Sequence, residues 1–152
     1  MPVVSILLET TNYNFELFVT NFKKKWRLRF EPYREGDSLG MIIDGMVIGC
    51  VFFPVPLVEI ALIQSARDNT LWPEAETCAL KHRAHLKVTM AQEKNPVVAY
   101  SLFSKVIYSL LQQPNVSGVY LKPNFLEPVY YFNRTDSPGD QHDAAGLFRK
   151  ND

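Results

Sequence analysis

The sequence predicts an α+β domain in which a mixed, mostly antiparallel sheet carries helices chiefly on one face. Three observations lead there. Apolar alternation and helical periodicity exchange places along the chain in the order β-α-β-β-β-α-α-β-α-β-α. Three of these strands follow one another with no helix between them, which hairpins permit and a doubly wound parallel sheet does not. Finally, 152 residues at 47% hydrophobic and 21% charged suit one core and exclude a disordered chain.

The run Val3 to Glu9 is rich in β-branched residues and leucine with no alternation, as in a strand buried on both faces. Beyond it, Phe15, Phe18, Val19, Phe22 and Trp26 draw one helical stripe, which Asn12 or Asn14 can cap. Lys23, Lys24 and Lys25 occupy its last turn, where positive charge complements the helix dipole. Alternation over Arg27 to Tyr33 predicts a half-exposed strand. Asp44-Gly45 between apolar runs predicts a hairpin, because both central residues of a type I′ turn need positive φ. The second arm reaches Phe53, and Pro54-Val55-Pro56 ends it by removing two ladder donors.

Leu57 to Arg67 is ambiguous between helix and strand; a shared face of Leu57, Ile60, Ala61 and Gln64 favours the helix. Pro73 with acids behind it opens a short helix to about Lys81. Next, Ala84, Leu86, Val88 and Met90 alternate with His85, Lys87 and Thr89, a strand with one buried face and one polar face. Asn95-Pro96 opens the strongest helix, which ends before Pro114. Val116 to Leu121 forms a last strand, and Asn124 to Phe132 reads as helical or irregular. A single domain over 1–134 and a mobile tail over 135–152 are therefore expected. Ferredoxin-like folds are the best-fitting relatives of this order.

Sixteen basic and sixteen acidic residues cancel, so no global field recommends nucleic acid or an anionic membrane as partner. The longest apolar stretch, Met46 to Val58, is broken by Gly49, Pro54 and Pro56 and is too short to span a bilayer. With no basic leader and two cysteines outside any metal-ligand spacing, a reducing cytoplasm is the expected compartment.

Chemistry-bearing patterns are sparse. His82-Arg83-Ala84-His85 offers two imidazoles, but a strand starting at Ala84 takes them off a common helical face, so no metal is expected. Lys23 to Arg29 around Trp26 could grip phosphates, yet a helix C-terminus with exposed lysines accounts for the same residues. No glycine-rich phosphate loop, GxSxG elbow or activated cysteine stands out, and no cofactor is indicated. Seven tyrosines, ten phenylalanines and two tryptophans are more suggestive, since aromatics anchor interfaces. Closing the last strand onto the sheet is the competing use of Tyr120, Tyr130 and Tyr131.

The strings Leu71-Trp72-Pro73-Glu74-Ala75 and His82-Arg83-Ala84-His85-Leu86 resemble those of a bacterial family of unknown function. Pro54-Val55-Pro56, Asn95-Pro96-Val97 and Gly118-Val119-Tyr120 extend the likeness to about half of the chain. The resemblance implies an α+β cytoplasmic protein with no catalytic residues to carry over, and by analogy with small members of such families, an immunity protein that binds and blocks a cognate toxin. The expectation is a non-catalytic binding protein with Trp72, Arg83, His85, Lys87 and Tyr130 at its interface. A small ligand-binding domain or enzyme using His82 or His85 beside Trp72 is the alternative, and self-association into a homodimer is a third.

Overall fold

The computed structural model describes residues 2–91 and 95–135. Its elements are β1 (Val3–Leu8), α1 (Phe15–Trp26), β2 (Tyr33–Glu35), β3 (Ser38–Ile43), β4 (Met46–Phe53), α2 (Ile60–Arg67), α3 (Ala75–Lys81), β5 (Ala84–Ala91), α4 (Pro96–Leu110), β6 (Val116–Leu121), β7 (Asn124–Leu126) and α5 (Pro128–Thr135). The expected tail over 135–152 lies outside the described residues, apart from Thr135, which ends α5.

The seven strands form one sheet in the order β2-β3-β4-β5-β1-β6-β7, and every described pairing is antiparallel. The four central strands, β4-β5-β1-β6, interleave two βαβ units. β1 runs parallel to β4 across β5, and β5 runs parallel to β6 across β1, which is the ferredoxin-like arrangement. β1 lies in the sheet interior between β5 and β6 and is buried on both faces from Val4 to Leu8, as its largely apolar, non-alternating run requires.

Helices α1, α4 and α5 cover one face over a core that includes Phe18, Phe22, Ile48, Leu86, Phe103 and Tyr131. The pair α2 and α3 covers part of the other face over Leu7, Tyr120 and Phe125. Of the described helices, the two longest, α1 and α4, share one face with α5, while the short α2 and α3 pack on the other because they leave β4 and return to β5 on the side opposite α1.

Local signals explain most boundaries. Asn14 caps α1 by accepting from the Leu17 amide, and Asn95 caps α4 by accepting from Val97 and Val98. Asp44 and Gly45 take φ of 51° and 79°, the positive values that a type I′ turn demands. The strand expected over Arg27 to Tyr33 is not there. Arg27 adopts the left-handed conformation (φ 55°) that terminates α1, the Leu28 amide folds back onto the Lys23 carbonyl, and Pro32 has no N–H for a ladder. Leu28 and Phe30 still pack on the core, but from irregular backbone, and the strand is delayed to Tyr33. In α2 the buried residues are Leu62 and Ala66, whereas Ile60 is exposed, so the stripe drawn through Leu57, Ile60, Ala61 and Gln64 is rotated from the face that packs.

Candidate functional site

A cleft of about 700 Å³ opens between α2, the loop leading to α3, and the β6–β7 hairpin with the start of α5. Trp72 and Tyr130 both line it, together with Leu71, Phe125 and the carboxylates of Asp68 and Glu127. The loop forms because Asp68-Asn69-Thr70 favours local side-chain turns over helix continuation. Asn69 uses both ends of its amide: Oδ1 accepts from the Leu71 amide at 3.0 Å, and Nδ2 donates to the Phe125 carbonyl at 2.8 Å. That pair of bonds ties the loop to β7. Ser65 adds a second tie, its hydroxyl lying 2.7 Å from the Pro123 carbonyl and 2.8 Å from that of Ala61. Arg67 and Glu76 pair between α2 and α3, holding the two helices together.

The aromatic wall depends on one glycine. Phe125 lies with its ring centroid 4.9 Å from that of Trp72, at 38°. Its edge rests on Gly118 of β6, where a Cβ would come within 2.5 Å of the ring. Trp72 is therefore a buried wall of the cleft, 7% exposed, while Tyr130 at 37% is its accessible rim. Behind the wall, the buried Tyr120 hydroxyl makes no well-formed hydrogen bond. Burial raises its pKa, the Glu59 charge adds to this, and the neighbouring Ser65 hydroxyl opposes it.

The remaining expected interface residues lie elsewhere. Arg83 is exposed where α3 hands over to β5, its amide bonded to the Leu8 carbonyl. Lys87 is exposed further along β5. His85 shares the strand face of Lys87, as the alternation requires, but it is buried and not presented. Its cross-strand neighbour Phe53 stacks on the imidazole at 4.9 Å and 14°, and Nδ1 donates to the Val55 carbonyl at 2.9 Å. His82 is equally committed: Nε2 accepts from the Leu57 amide at 2.8 Å, and Nδ1 donates to the Ala79 carbonyl at 2.5 Å. Those two bonds define a neutral tautomer. Burial lowers the pKa of both rings, partly opposed by their bonds to carbonyl oxygens. Neither imidazole lines the cleft beside Trp72.

The cysteines sit in apolar packing. Burial pushes the Cys50 thiol far up, and burial plus Glu9, Glu74 and Glu127 raises Cys78, so neither is a ready thiolate at neutral pH. Among the described residues, no group of three or more His, Cys, Asp or Glu is placed to hold a metal ion. No described helix is long and apolar enough to cross a membrane. The Trp26 indole donates to Ser109 at 3.2 Å and carries the Lys25 and Lys105 ammonium groups over its ring, each 5.3 Å from the centroid. Lys25 of the basic run, which also lies over the Tyr108 ring at 4.8 Å, thus helps seat α1 on α4.

Sequence reasoning missed Asn69, Ser65 and the strand β7, although the Asp-Asn-Thr cluster marked the turn that Asn69 organises. The segment expected to be helical or irregular from Asn124 splits into three strand residues and a helix. Tyr130 and Tyr131, adjacent in sequence, point to opposite uses. Tyr130 reaches the cleft, while Tyr131 is fully buried with its hydroxyl on the Ser104 carbonyl at 2.8 Å, closing α5 onto α4. No family model, curated protein or solved structure matches the chain, so the likeness carried by the Trp-Pro-Glu-Ala and His-Arg-Ala-His-Leu strings assigns no family.

Proposed function

We propose that this protein is a non-catalytic binding protein that takes a segment of a partner polypeptide into the Trp72–Tyr130 cleft, in its most concrete form an immunity protein that blocks a cognate toxin. The observation carrying the reading is the composition of the cleft. Its walls are aromatic, its polar groups are amides, hydroxyls and two carboxylates, and neither imidazole nor thiol lines it. Aromatic anchors with sparse polar groups suit recognition. Asp68 and Glu127 are the charged residues of the lining, so a segment bearing a Lys, Arg or amide donor is the complementary ligand. The toxin as partner rests on the bacterial resemblance and on analogy, not on a residue of the cleft.

The test is co-purification with the product of the adjacent gene, followed by protection of cells that express that product. Binding that weakens at least about tenfold in Tyr130→Ala, with the melting temperature retained, supports the reading. Absence of both binding and protection removes the immunity assignment. One observation favours a second reading: the cleft volume falls within the ~300–1,000 Å³ typical of small-molecule sites. That version keeps the cleft but makes no use of His82 or His85, and a thermal-shift screen of small cationic ligands discriminates it.

A further inference from the structure

Outside the cleft, the least explained surface is the half of the α2/α3 face that those helices leave bare. The register fixes its composition. Ile42 and Val47 are direct cross-strand neighbours on β3 and β4, exposed at 67% and 46%. One step along, Gly40 and Gly49 pair between the same strands, with Tyr33 of β2 on one flank and Thr89 of β5 on the other. Tyr33 is 67% exposed. A further step brings Lys87 of β5 and Glu35 of β2 into one row, separated by β4 and β3. The solvent side of an antiparallel sheet is ordinarily polar, whereas here the Ile42–Val47 pair and Tyr33 face out beside a charged row.

We infer that this face pairs with a second copy of the chain across a two-fold axis that runs along the strands between β3 and β4. Such an axis sets β5 of one copy opposite β2 of the other, row by row. Ile42 then meets the second copy's Val47, Tyr33 meets Thr89, and Lys87 meets Glu35, twice each by symmetry. Large faces small and positive faces negative, so the surface is complementary to itself. Sheets stacked face to face at about 10 Å accommodate this geometry. Four strands at ~4.8 Å and five residues at ~3.3 Å give a patch of roughly 19 by 17 Å. That is small beside the ~800 Å² per partner of a standard interface, so the association is weak. It uses none of the cleft and stands independently of the function proposed above.

Sedimentation of the full chain between about 5 and about 500 µM is expected to show a monomer–dimer equilibrium with Kd on the order of 10–100 µM. Ile42→Asp should leave only monomer, with the melting temperature unchanged because the residue is exposed. Lys87→Glu and Glu35→Lys should each weaken dimerisation about tenfold, and the double charge swap should return it to within about threefold of the original. A chain that stays monomeric throughout overturns the inference and leaves the face to a different protein. A dimer indifferent to Ile42→Asp, or single reversals that the swap does not rescue, equally overturns the two-fold arrangement.

Discussion

Gly118→Ala is a one-methyl change whose consequence can be worked from the geometry. The added Cβ would sit 2.5 Å and 2.6 Å from two carbons of the Phe125 ring and 3.4 Å from Trp72. Carbon atoms rest at about 3.5–4.0 Å, so the ring must retreat by about 1 Å or leave its seat against Trp72. Overpacking of this kind costs about 1–3 kcal/mol, and outright ejection of Phe125 approaches the ~3–5 kcal/mol of a Phe→Ala substitution. A loss of about 2–4 kcal/mol lowers the melting temperature by about 5–12 °C for a chain of this length, readable by circular dichroism. The sign should invert in a Phe125→Ala background. There the methyl enters vacated space, and replacing glycine contributes about 0.5 kcal/mol by restricting the unfolded chain. A melting temperature within about 1 °C of the parent, or the same penalty with and without Phe125, would refute the contact as the reason for the glycine.

Acid should destabilise the fold through His82 and His85, whose folded pKa values lie below the unfolded value near 6.5. The unfolded chain therefore binds protons first, so stability is complete above about pH 6.5 and falls as pH drops through the folded values, by at most about 1.4 kcal/mol per pH unit for each ring. Urea denaturation between pH 5 and pH 8 checks this, and His85→Leu should remove one ring's share of the slope. His82→Leu should also cost about 1–3 kcal/mol at neutral pH, since the Leu57 amide loses its acceptor. Gly45→Ala should cost about 1 kcal/mol because φ is 79° there, whereas Asp44→Asn, a residue type that tolerates positive φ, should be nearly neutral in the same denaturation assay.

What the sequence disclosed follows from the range of each interaction. The Asp44-Gly45 turn, the Asn95-Pro96 helix start and the doubly buried β1 rest on neighbours in sequence or on the two-residue period, and all three are where the residues place them. The segment after Trp26 misled because alternation alone does not reveal that Arg27 enters the left-handed region and that Pro32 blocks a ladder. β7 is three residues long and exists only because β6 offers it an edge, a partner that no local pattern reveals. His85 was correctly placed on its strand face, but its burial comes from Phe53 across the ladder and from the Val55 carbonyl, both about thirty residues away. Of the five residues expected at an interface, Arg83, His85 and Lys87 do not line the one cleft described above, whereas Trp72 and Tyr130 do. The ties that bring them together, Asn69 to Phe125 and Ser65 to Pro123, join residues 56 and 58 positions apart.

The connection from β4 to β5 shows why the two faces of the sheet differ. These strands are antiparallel neighbours, and Phe53, the last residue of β4, is paired with His85, the second residue of β5. A two-residue turn would join them. Instead the chain leaves for residues 54–83 and builds α2, α3 and the loop between them on the face opposite α1 and α4. Topology does not require that excursion, so its effect must be sought in what it covers and creates. It buries Leu7, Tyr120 and Phe125 of β1, β6 and β7, which would otherwise face water, and it supplies Trp72, Asp68 and one wall of the cleft. It stops short of β3, leaving Ile42 and Val47 in solvent. The α1/α4 face carries the larger continuous core, while the cleft and the bare sheet face both owe their shape to where this one insertion begins and ends.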